Sequence, residues 1–209
     1  MIITIDGAPA TGKTTIAKMI AAEHDMVHLD SGAIFRTITL YCLNSDINLD
    51  NEREVIHQLH HVHITLKQDD VILNGINVSE AIRTPEVTNN VCRISHIPAV
   101  RSFVKNFQQT AGKKGNVVCD GRKVGTEVFP QAEKKFFLTA NLRERASRRW
   151  LEYIKTNPTA KLSDVYNDLQ KREETEKENG ILRMPDGAII IDTSGFSIEE
   201  TLSVMDSYI

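Results

Sequence analysis

Residues 7–14, with the sequence GAPATGKT, constrain the fold more than any other segment of the chain. They match the pattern Gly-x-x-x-x-Gly-Lys-Ser/Thr, in which two glycines let the backbone wrap closely around phosphate groups. Residues 2–5 before the loop form a β-branched run typical of a buried strand, and residues 13–23 after it carry apolar side chains at helical spacing. A strand, this loop and a helix in that order predict a phosphate-binding P-loop.

The residue types in the loop suit a nucleoside triphosphate and a divalent cation. The positive end of the following helix would face the phosphates. Lys13 would reach the β- and γ-phosphates, and the Thr14 hydroxyl would ligate magnesium. We therefore expect the ATP-binding residues of the loop to be Gly7, Ala8, Pro9, Ala10, Thr11, Gly12, Lys13, Thr14 and Thr15.

The rest of the chain alternates strand-like and helix-like segments, which is typical of βαβ units with a parallel sheet. Residues 63–92 interrupt the alternation with short β-like pieces. Turn signals separate them at residues 69–70 and at Asn74-Gly75, a strong hairpin pair. We predict an α/β fold in one domain, residues 1–209, with a small β-subdomain inserted at about 63–92.

Composition removes several classes of protein. The chain has 209 residues, 41% of them hydrophobic and 25% charged, with a formal net charge of -3, so neither nucleic acid nor an anionic membrane is an expected partner. The first residues do not resemble a signal peptide, and no apolar run approaches the roughly 20 residues of a membrane span. Three cysteines (Cys42, Cys92 and Cys119) form no disulfide framework, which favours a reducing cytoplasm.

Among P-loop proteins, a small kinase fits best. A GTPase would need the base-reading sequence Asn-Lys-x-Asp, which the chain lacks, and large motor or transporter ATPases need longer chains. Asp120 ends a predicted strand, where α/β sheets place their ligands, and is the natural carboxylate to hold magnesium together with Thr14. A capping aspartate in a structural ion pair is the alternative for Asp120.

The sequence resembles bacterial cytidylate kinases, a family of nucleoside monophosphate kinases. The matching segments cover nearly the whole chain: IDGAPATGKTT, LDSGAIFRT, NGINVSEAIRTPEVTNNV, HIPAVR, CDGRKVGTEVFP, ERASRRW and IDTSGFSIEE. The resemblance implies a five-stranded parallel sheet, a monophosphate-binding insert and a mobile lid at about residues 155–184. It also implies a monomeric cytoplasmic enzyme that phosphorylates CMP and dCMP with ATP and Mg²⁺.

The resemblance assigns roles to residues outside the loop. It places Ser31, Arg36, Arg101 and Arg122 at the acceptor nucleotide, and Arg145 and Arg149 against ATP. In the lid, Arg172 would close over the transferring phosphoryl group, and Glu176 is the acidic residue of the same pattern. The expected catalytic residues are Lys13, Asp120, Arg122 and Arg172. From the residues alone, Ser31 also suits a helix N-cap, and the arginines also suit a solvated surface.

The chain departs from the family pattern at three positions on the acceptor side. Lys123 replaces a base-contacting aspartate, Cys92 replaces a serine near the base, and Asn179 replaces the last lid arginine. Ser95 is a candidate to compensate for Cys92, and Arg183 for Asn179. A kinase of the same fold with another base preference, such as UMP, is therefore one alternative. A non-catalytic nucleotide-binding protein is a weaker one, because Lys13, Asp120, Arg122 and Arg172 are all present.

Overall fold

A computed structural model describes residues 1–67, 70–155, 157–178 and 180–209. The strands are β1 (Ile2–Gly7), β2 (Val27–Asp30), β3 (Ile64–Lys67), β4 (Asp70–Leu73), β5 (Ile76–Asn77), β6 (Val117–Gly121), β7 (Lys134–Thr139) and β8 (Ile189–Asp192). The α-helices are α1 (Lys13–Glu23), α2 (Ser31–Asn44), α3 (Glu52–Gln58), α4 (Pro85–Ser95), α5 (Pro98–Gly112), α6 (Leu142–Tyr153), α7 (Leu162–Glu178) and α8 (Ile198–Asp206). The predicted turn residue Asp69 and the lid residue Asn179 lie outside the described residues.

The main sheet has five strands in the order β2-β6-β1-β7-β8. Strand β1 lies in the centre and pairs in parallel with both β6 and β7, and β7 pairs in parallel with β8. The predicted five-stranded parallel sheet is therefore confirmed. In the register of β1 and β6, Asp6 lies opposite Gly121. The residues that follow these two strands therefore lie at one edge of the sheet, where α/β proteins bind ligands.

The chain separates into two compact units. The first, which we call the P-loop unit, comprises residues 1–28 and 115–209. Its core is built from the central strands and from α1 and α8, with Ile5, Ile16, Phe136 and Met205 buried. The β-branched run of β1 is buried because helices cover both faces of a parallel sheet. This core supports the loop between β1 and α1.

The second compact unit, which we call the inserted unit, comprises residues 29–114. It contains helices α2 to α5 and a three-stranded antiparallel sheet in the order β3-β4-β5. The sequence analysis placed a β-subdomain at 63–92 within one domain. The strands occupy only residues 64–77, and residues 85–95 form α4. Thr84 caps α4 by accepting the Val87 N–H at 3.4 Å, and Pro85 occupies the first turn, a helix start that the prediction overlooked.

Residues 155–184 contain a long helix that the sequence analysis did not predict. Helix α7 packs against α6, with Val165 and Leu169 of α7 and Ala146 of α6 buried in one cluster. Val165 and Leu169 are four residues apart, the spacing that places two side chains on one face of a helix. None of the helices in the described ranges combines the length and the apolar character needed to cross a lipid bilayer.

Candidate active site

The loop between β1 and α1 requires glycine at two positions, Gly7 and Gly12. A Cβ atom on Gly7 would lie 2.2 Å from the carbonyl oxygen of Leu138 on β7. Gly12, with φ of 88°, is the N-cap of α1 and offers no side chain to cap the helix. Uncapped N–H groups at a helix N-terminus bind anions well, because the helix dipole adds to their hydrogen bonds. The loop is therefore suited to phosphate.

Lys13 is the buried cation of this loop, with 6% of its surface exposed. Its Nζ donates to the carbonyl oxygen of Ala8 at 2.7 Å. Burial, and then the neighbouring Arg122 cation, lower the pKa of Lys13 well below its usual value. A polyphosphate beside Nζ would reverse this effect, because a negative charge favours the protonated amine. Lys13 thus lies in a buried site that favours an anion.

The predicted magnesium ligands Thr14 and Asp120 lie together. Thr14 Oγ1 donates to Asp120 Oδ2 at 2.7 Å, and Asp120 is only 3% exposed. Burial raises the pKa of Asp120, but hydrogen bonds from His28 and Thr14 and the charge of Lys13 outweigh it and hold the pKa below its usual value. A hydroxyl and an ionised carboxylate are the hard oxygen ligands that Mg²⁺ accepts alongside water and phosphate oxygens.

The residues therefore fit a magnesium ion shared with a nucleotide. Within the described ranges, no group of three or more His, Cys, Asp or Glu side chains lies close enough to hold a metal. A magnesium ion that binds together with a nucleotide needs only one or two carboxylates from the protein, because the remaining ligands come from phosphate and water.

Asp6, at the end of β1, is a buried acid that the sequence analysis did not single out. Its carboxylate accepts the N–H groups of Val124 at 2.7 Å and of Gly125 at 2.8 Å. Burial raises the pKa of Asp6 to about 6, although the two N–H groups and the Lys13 charge act in the opposite direction. Asp6 therefore fixes the segment that follows β6, which carries Arg122 and Lys123.

Two predicted site arginines share one carboxylate. Arg122 Nε donates to Glu176 Oε2 at 2.9 Å, and Arg172 Nε donates to Glu176 Oε1 at 3.0 Å. Burial raises the pKa of Glu176, but the two arginines outweigh it and lower the pKa below its usual value. The backbone N–H of Arg183 donates to the carbonyl oxygen of Arg122 at 3.2 Å, so Arg183 lies beside this group.

Arg145 and Arg149 of α6, predicted to share a role at ATP, have different surroundings. Arg145 is buried and donates to the carbonyl oxygen of Pro9 in the P-loop at 3.3 Å and to Glu173 of α7 at 2.5 Å. The described contacts of Arg149 are with its own helix. It donates to Glu152 at 2.9 Å and covers the Tyr153 ring at 4.8 Å. Of the two, the structure brings Arg145 to the loop.

In the inserted unit, two arginine side chains lie near Asp30 at the start of α2. Asp30 Oδ1 accepts the Ala33 N–H at 2.8 Å, so Asp30 is the N-cap, the role that had been an alternative for Ser31. Its other oxygen, Oδ2, lies 3.4 Å from Arg36 Nη2 and 4.0 Å from Arg83 Nη2. Two guanidinium groups at a helix N-terminus form a site that favours an anion. Sequence reasoning found Arg36 and missed Arg83.

Ser31 is bound by a residue that sequence reasoning also missed. Gln108 Nε2 of α5 donates to Ser31 Oγ at 2.6 Å, with both residues buried. Arg101 precedes Gln108 by seven residues on the same helix, which is about two turns, so both lie on one face of α5. Ser31 and Arg101 are thus on neighbouring faces of α2 and α5.

Two of the three departures from the family pattern, Lys123 and Cys92, lie on partly exposed or exposed surface. Lys123 Nζ pairs with Glu127 Oε1 at 2.8 Å, with 19% and 42% of the two side chains exposed. Cys92 is exposed on α4, with its Sγ 3.6 Å from the carbonyl oxygen of Asn89. Ser95 Oγ donates to the carbonyl oxygen of Cys92 at 3.4 Å. Whether Ser95 compensates for Cys92 stays an open hypothesis.

Comparison with known proteins agrees with this geometry. Residues 3–209 match the family model described as cytidylate kinase. A cytidylate kinase of Bacillus cereus strain G9842 is 38% identical over 213 aligned positions, covering 99% of this chain and 95% of the relative. A cytidylate kinase of Bacillus thuringiensis strain Al Hakam is 39% identical over 206 positions, covering 96% of this chain and 92% of the relative.

Solved structures agree at the level of the fold alone. A shikimate kinase from Bacteroides thetaiotaomicron superposes with a TM-score of 0.51 at 12% identity, covering 100% of this chain and 97% of that one. An uncharacterized protein from Eubacterium ventriosum superposes with a TM-score of 0.54 at 10% identity, with the same coverage. The family model spans nearly the whole chain and the relatives align along its full length, so the chain belongs to the cytidylate kinase family.

Proposed function

We propose that the protein transfers the γ-phosphoryl group of ATP to CMP or dCMP, giving CDP or dCDP, with Mg²⁺ as cofactor. The observation that carries the proposal is the contact of Thr14 with Asp120 at 2.7 Å, one residue from the buried Lys13. A P-loop lysine, a hydroxyl ligand and a carboxylate ligand in one place are the parts that a nucleotide kinase needs for its donor.

On the donor side, the P-loop backbone and Lys13 hold the β- and γ-phosphates. Thr14 and Asp120 would hold the cation, which would offset the negative charge of the phosphates. Arg145 supports the loop through the carbonyl oxygen of Pro9. These groups orient the γ-phosphate without any covalent step by the protein.

During transfer, arginines offset the charge that develops on the moving phosphoryl group. Arg122 and Arg172 are proposed for this role, and Glu176 holds both of them in place at 2.9 and 3.0 Å. Cations that are already positioned stabilise a transition state more effectively than mobile ones. No general base is needed, because the acceptor phosphate is already ionised.

The acceptor monophosphate is proposed to bind to groups of the inserted unit. Arg36 and Ser31, at the start of α2, bind its phosphate, and Arg101 binds the same nucleotide. The N-terminus of α2 and the guanidinium groups near Asp30 support this assignment, since they favour an anion.

A second candidate acceptor is UMP, and Lys123 is the observation that favours it. An ammonium group only donates hydrogen bonds, so it cannot accept from the 4-amino group of cytosine, whereas it can donate to O4 of uracil.

We also propose that the enzyme is a monomer and that it acts in the cytoplasm. Its three free cysteines support the second part, because the cytoplasm keeps thiols reduced. Sedimentation analysis tests the oligomeric state.

The decisive experiment is a coupled assay of ADP release with CMP, dCMP, UMP, AMP and dTMP as acceptors. The proposal expects turnover with CMP and dCMP in the presence of Mg²⁺, and loss of turnover with excess chelator. Higher kcat/KM for UMP than for CMP would establish the second candidate. No turnover with any acceptor would contradict both and would favour a nucleotide-binding protein without catalysis.

A further inference from the structure

His28, on β2, has a buried contact that none of the proposed roles uses. Its side chain is 10% exposed, and its Nε2 lies 2.7 Å from Asp120 Oδ1. The contact joins neighbouring strands, because β2 lies beside β6 in the sheet. Histidine on a short strand is not a pattern that indicates a site, so only the structure identifies it.

The two oxygens of Asp120 are held by two different donors. Thr14 Oγ1 donates to Oδ2 at 2.7 Å, and His28 Nε2 lies at the same distance from Oδ1. An ionised carboxylate only accepts hydrogen bonds, so the hydrogen of this contact must be on His28 Nε2. Because each oxygen of the Asp120 carboxylate accepts a hydrogen bond from a different residue, the carboxylate cannot rotate without breaking one of the two bonds.

We propose that His28 is a positioning residue, which holds Asp120 Oδ1 so that Oδ2 stays directed at Thr14 and at the cation they share. The inference rests on the proposed function, since it assumes that Asp120 and Thr14 hold Mg²⁺ with ATP. Groups that hydrogen-bond to a metal-binding side chain orient it, and their loss typically lowers metal affinity by about 10- to 100-fold.

The test measures how strongly Mg²⁺ tightens ATP binding, without turnover. Isothermal titration gives the Kd of ATP in EDTA and in Mg²⁺ for the full-length protein, and the ratio of the two is the coupling between cation and nucleotide. His28→Phe removes both ring nitrogens and should reduce this ratio about tenfold. His28→Gln keeps an N–H donor and should retain most of it. The Kd of ATP in EDTA should be the same in all three proteins, because the P-loop itself is unchanged.

A double-mutant cycle distinguishes positioning from general damage. If His28 acts through Asp120, His28→Phe should have no further effect on the ratio in an Asp120→Asn background. Independent, additive losses would overturn the inference, as would a ratio within twofold of the wild type in His28→Phe. Should His28→Phe fail to fold, His28→Leu replaces it under the same criteria. A wild-type protein whose ATP affinity does not respond to Mg²⁺ would instead overturn the proposed function.

Discussion

The proposed donor site in the P-loop unit and the positions that depart from the family pattern differ in how firmly the fold holds them. Lys13 and Asp120 are 6% and 3% exposed, and their polar atoms are bound by other buried groups. Lys123 and Cys92 lie on half-exposed or exposed surface, with contacts inside their own short segments. A change in the first group leaves a buried polar partner without its hydrogen bond, whereas a change in the second removes a contact within one surface segment.

The largest effect is expected at the buried lysine of the P-loop. Lys13→Ala should lower kcat by about 100-fold or more, because the lysine charge offsets the phosphates in the transition state. Circular dichroism should show the fold retained. Lys18→Ala, on the same helix, is the matched control and should keep near wild-type kcat. A kcat for Lys13→Ala within about tenfold of the wild type would remove the P-loop from the mechanism.

The buried Asp6 should make the stability of the protein depend on pH. The pKa of Asp6 is raised from 3.8 to about 6 in the folded protein. Protonation of Asp6 therefore adds to the free energy of unfolding at low pH, and this stabilisation is lost as the pH rises from 3.8 through about 6. At about 1.4 kcal/mol per unit, the loss approaches about 3 kcal/mol. Asn cannot titrate, so the stability of the wild type should fall relative to Asp6→Asn between pH 4 and pH 7. Urea unfolding of both proteins across this range measures the difference, and parallel curves would show that Asp6 keeps its ordinary pKa.

Arg36 and Arg122 test the assignment of the acceptor phosphate. Arg36→Met and Arg122→Met should each raise KM for CMP about tenfold or more, with a smaller effect on KM for ATP, since hydrogen bonds to charged groups contribute about 1.5–3 kcal/mol. Arg122→Met should also lower kcat. Arg93→Met, which removes an exposed pair with Asp50, is the control and should leave both constants unchanged. Equal increases in the two KM values would contradict the assignment.

The smallest effect is expected for the preference between CMP and UMP, tested at the partly exposed Lys123. Lys123→Asp alone would place two carboxylates beside each other, because Glu127 now pairs with Lys123. The informative variant is therefore Lys123→Asp combined with Glu127→Gln, with Glu127→Gln alone as the control. If the new carboxylate accepts from the 4-amino group, the preference for CMP over UMP should rise about fivefold, or about 1 kcal/mol. Competition kinetics measures it, and an unchanged ratio would mean that residue 123 does not meet the base.

Features that depend on local pattern could be predicted from the sequence. The P-loop was found because its residues are adjacent in the chain and their spacing follows from phosphate geometry. The parallel sheet was found because its strands are short apolar runs separated by helical segments. Thr14 and Asp120 were expected at one site because Asp120 lies at the carboxyl end of a strand, where α/β sheets place ligands, and Thr14 belongs to the phosphate-binding loop.

Features that depend on distant pairs could not be predicted in this way. His28 meets Asp120 across 92 positions, Asp6 meets Val124 across 118, and Gln108 meets Ser31 across 77. No local period or motif marks such residues, because their partners are set by strand order and helix packing. The failure to predict helix α4 has a different cause. Thr84 and Pro85 are a local signal for a helix start, but the β-like segments before them led to the prediction of a β-subdomain that included these residues.

The order of strands in the main sheet also bears on how the protein is made. The P-loop is synthesised before β6 and β7, yet β1 pairs with these strands on its two sides, and they come from residues 117–121 and 134–139. The inserted unit, residues 29–114, is synthesised before either of these strands. Since domains fold as units during synthesis, the nascent chain carries the inserted unit ahead of a functional nucleotide loop. The P-loop therefore reaches its native shape only after the later strands beside β1 have been synthesised.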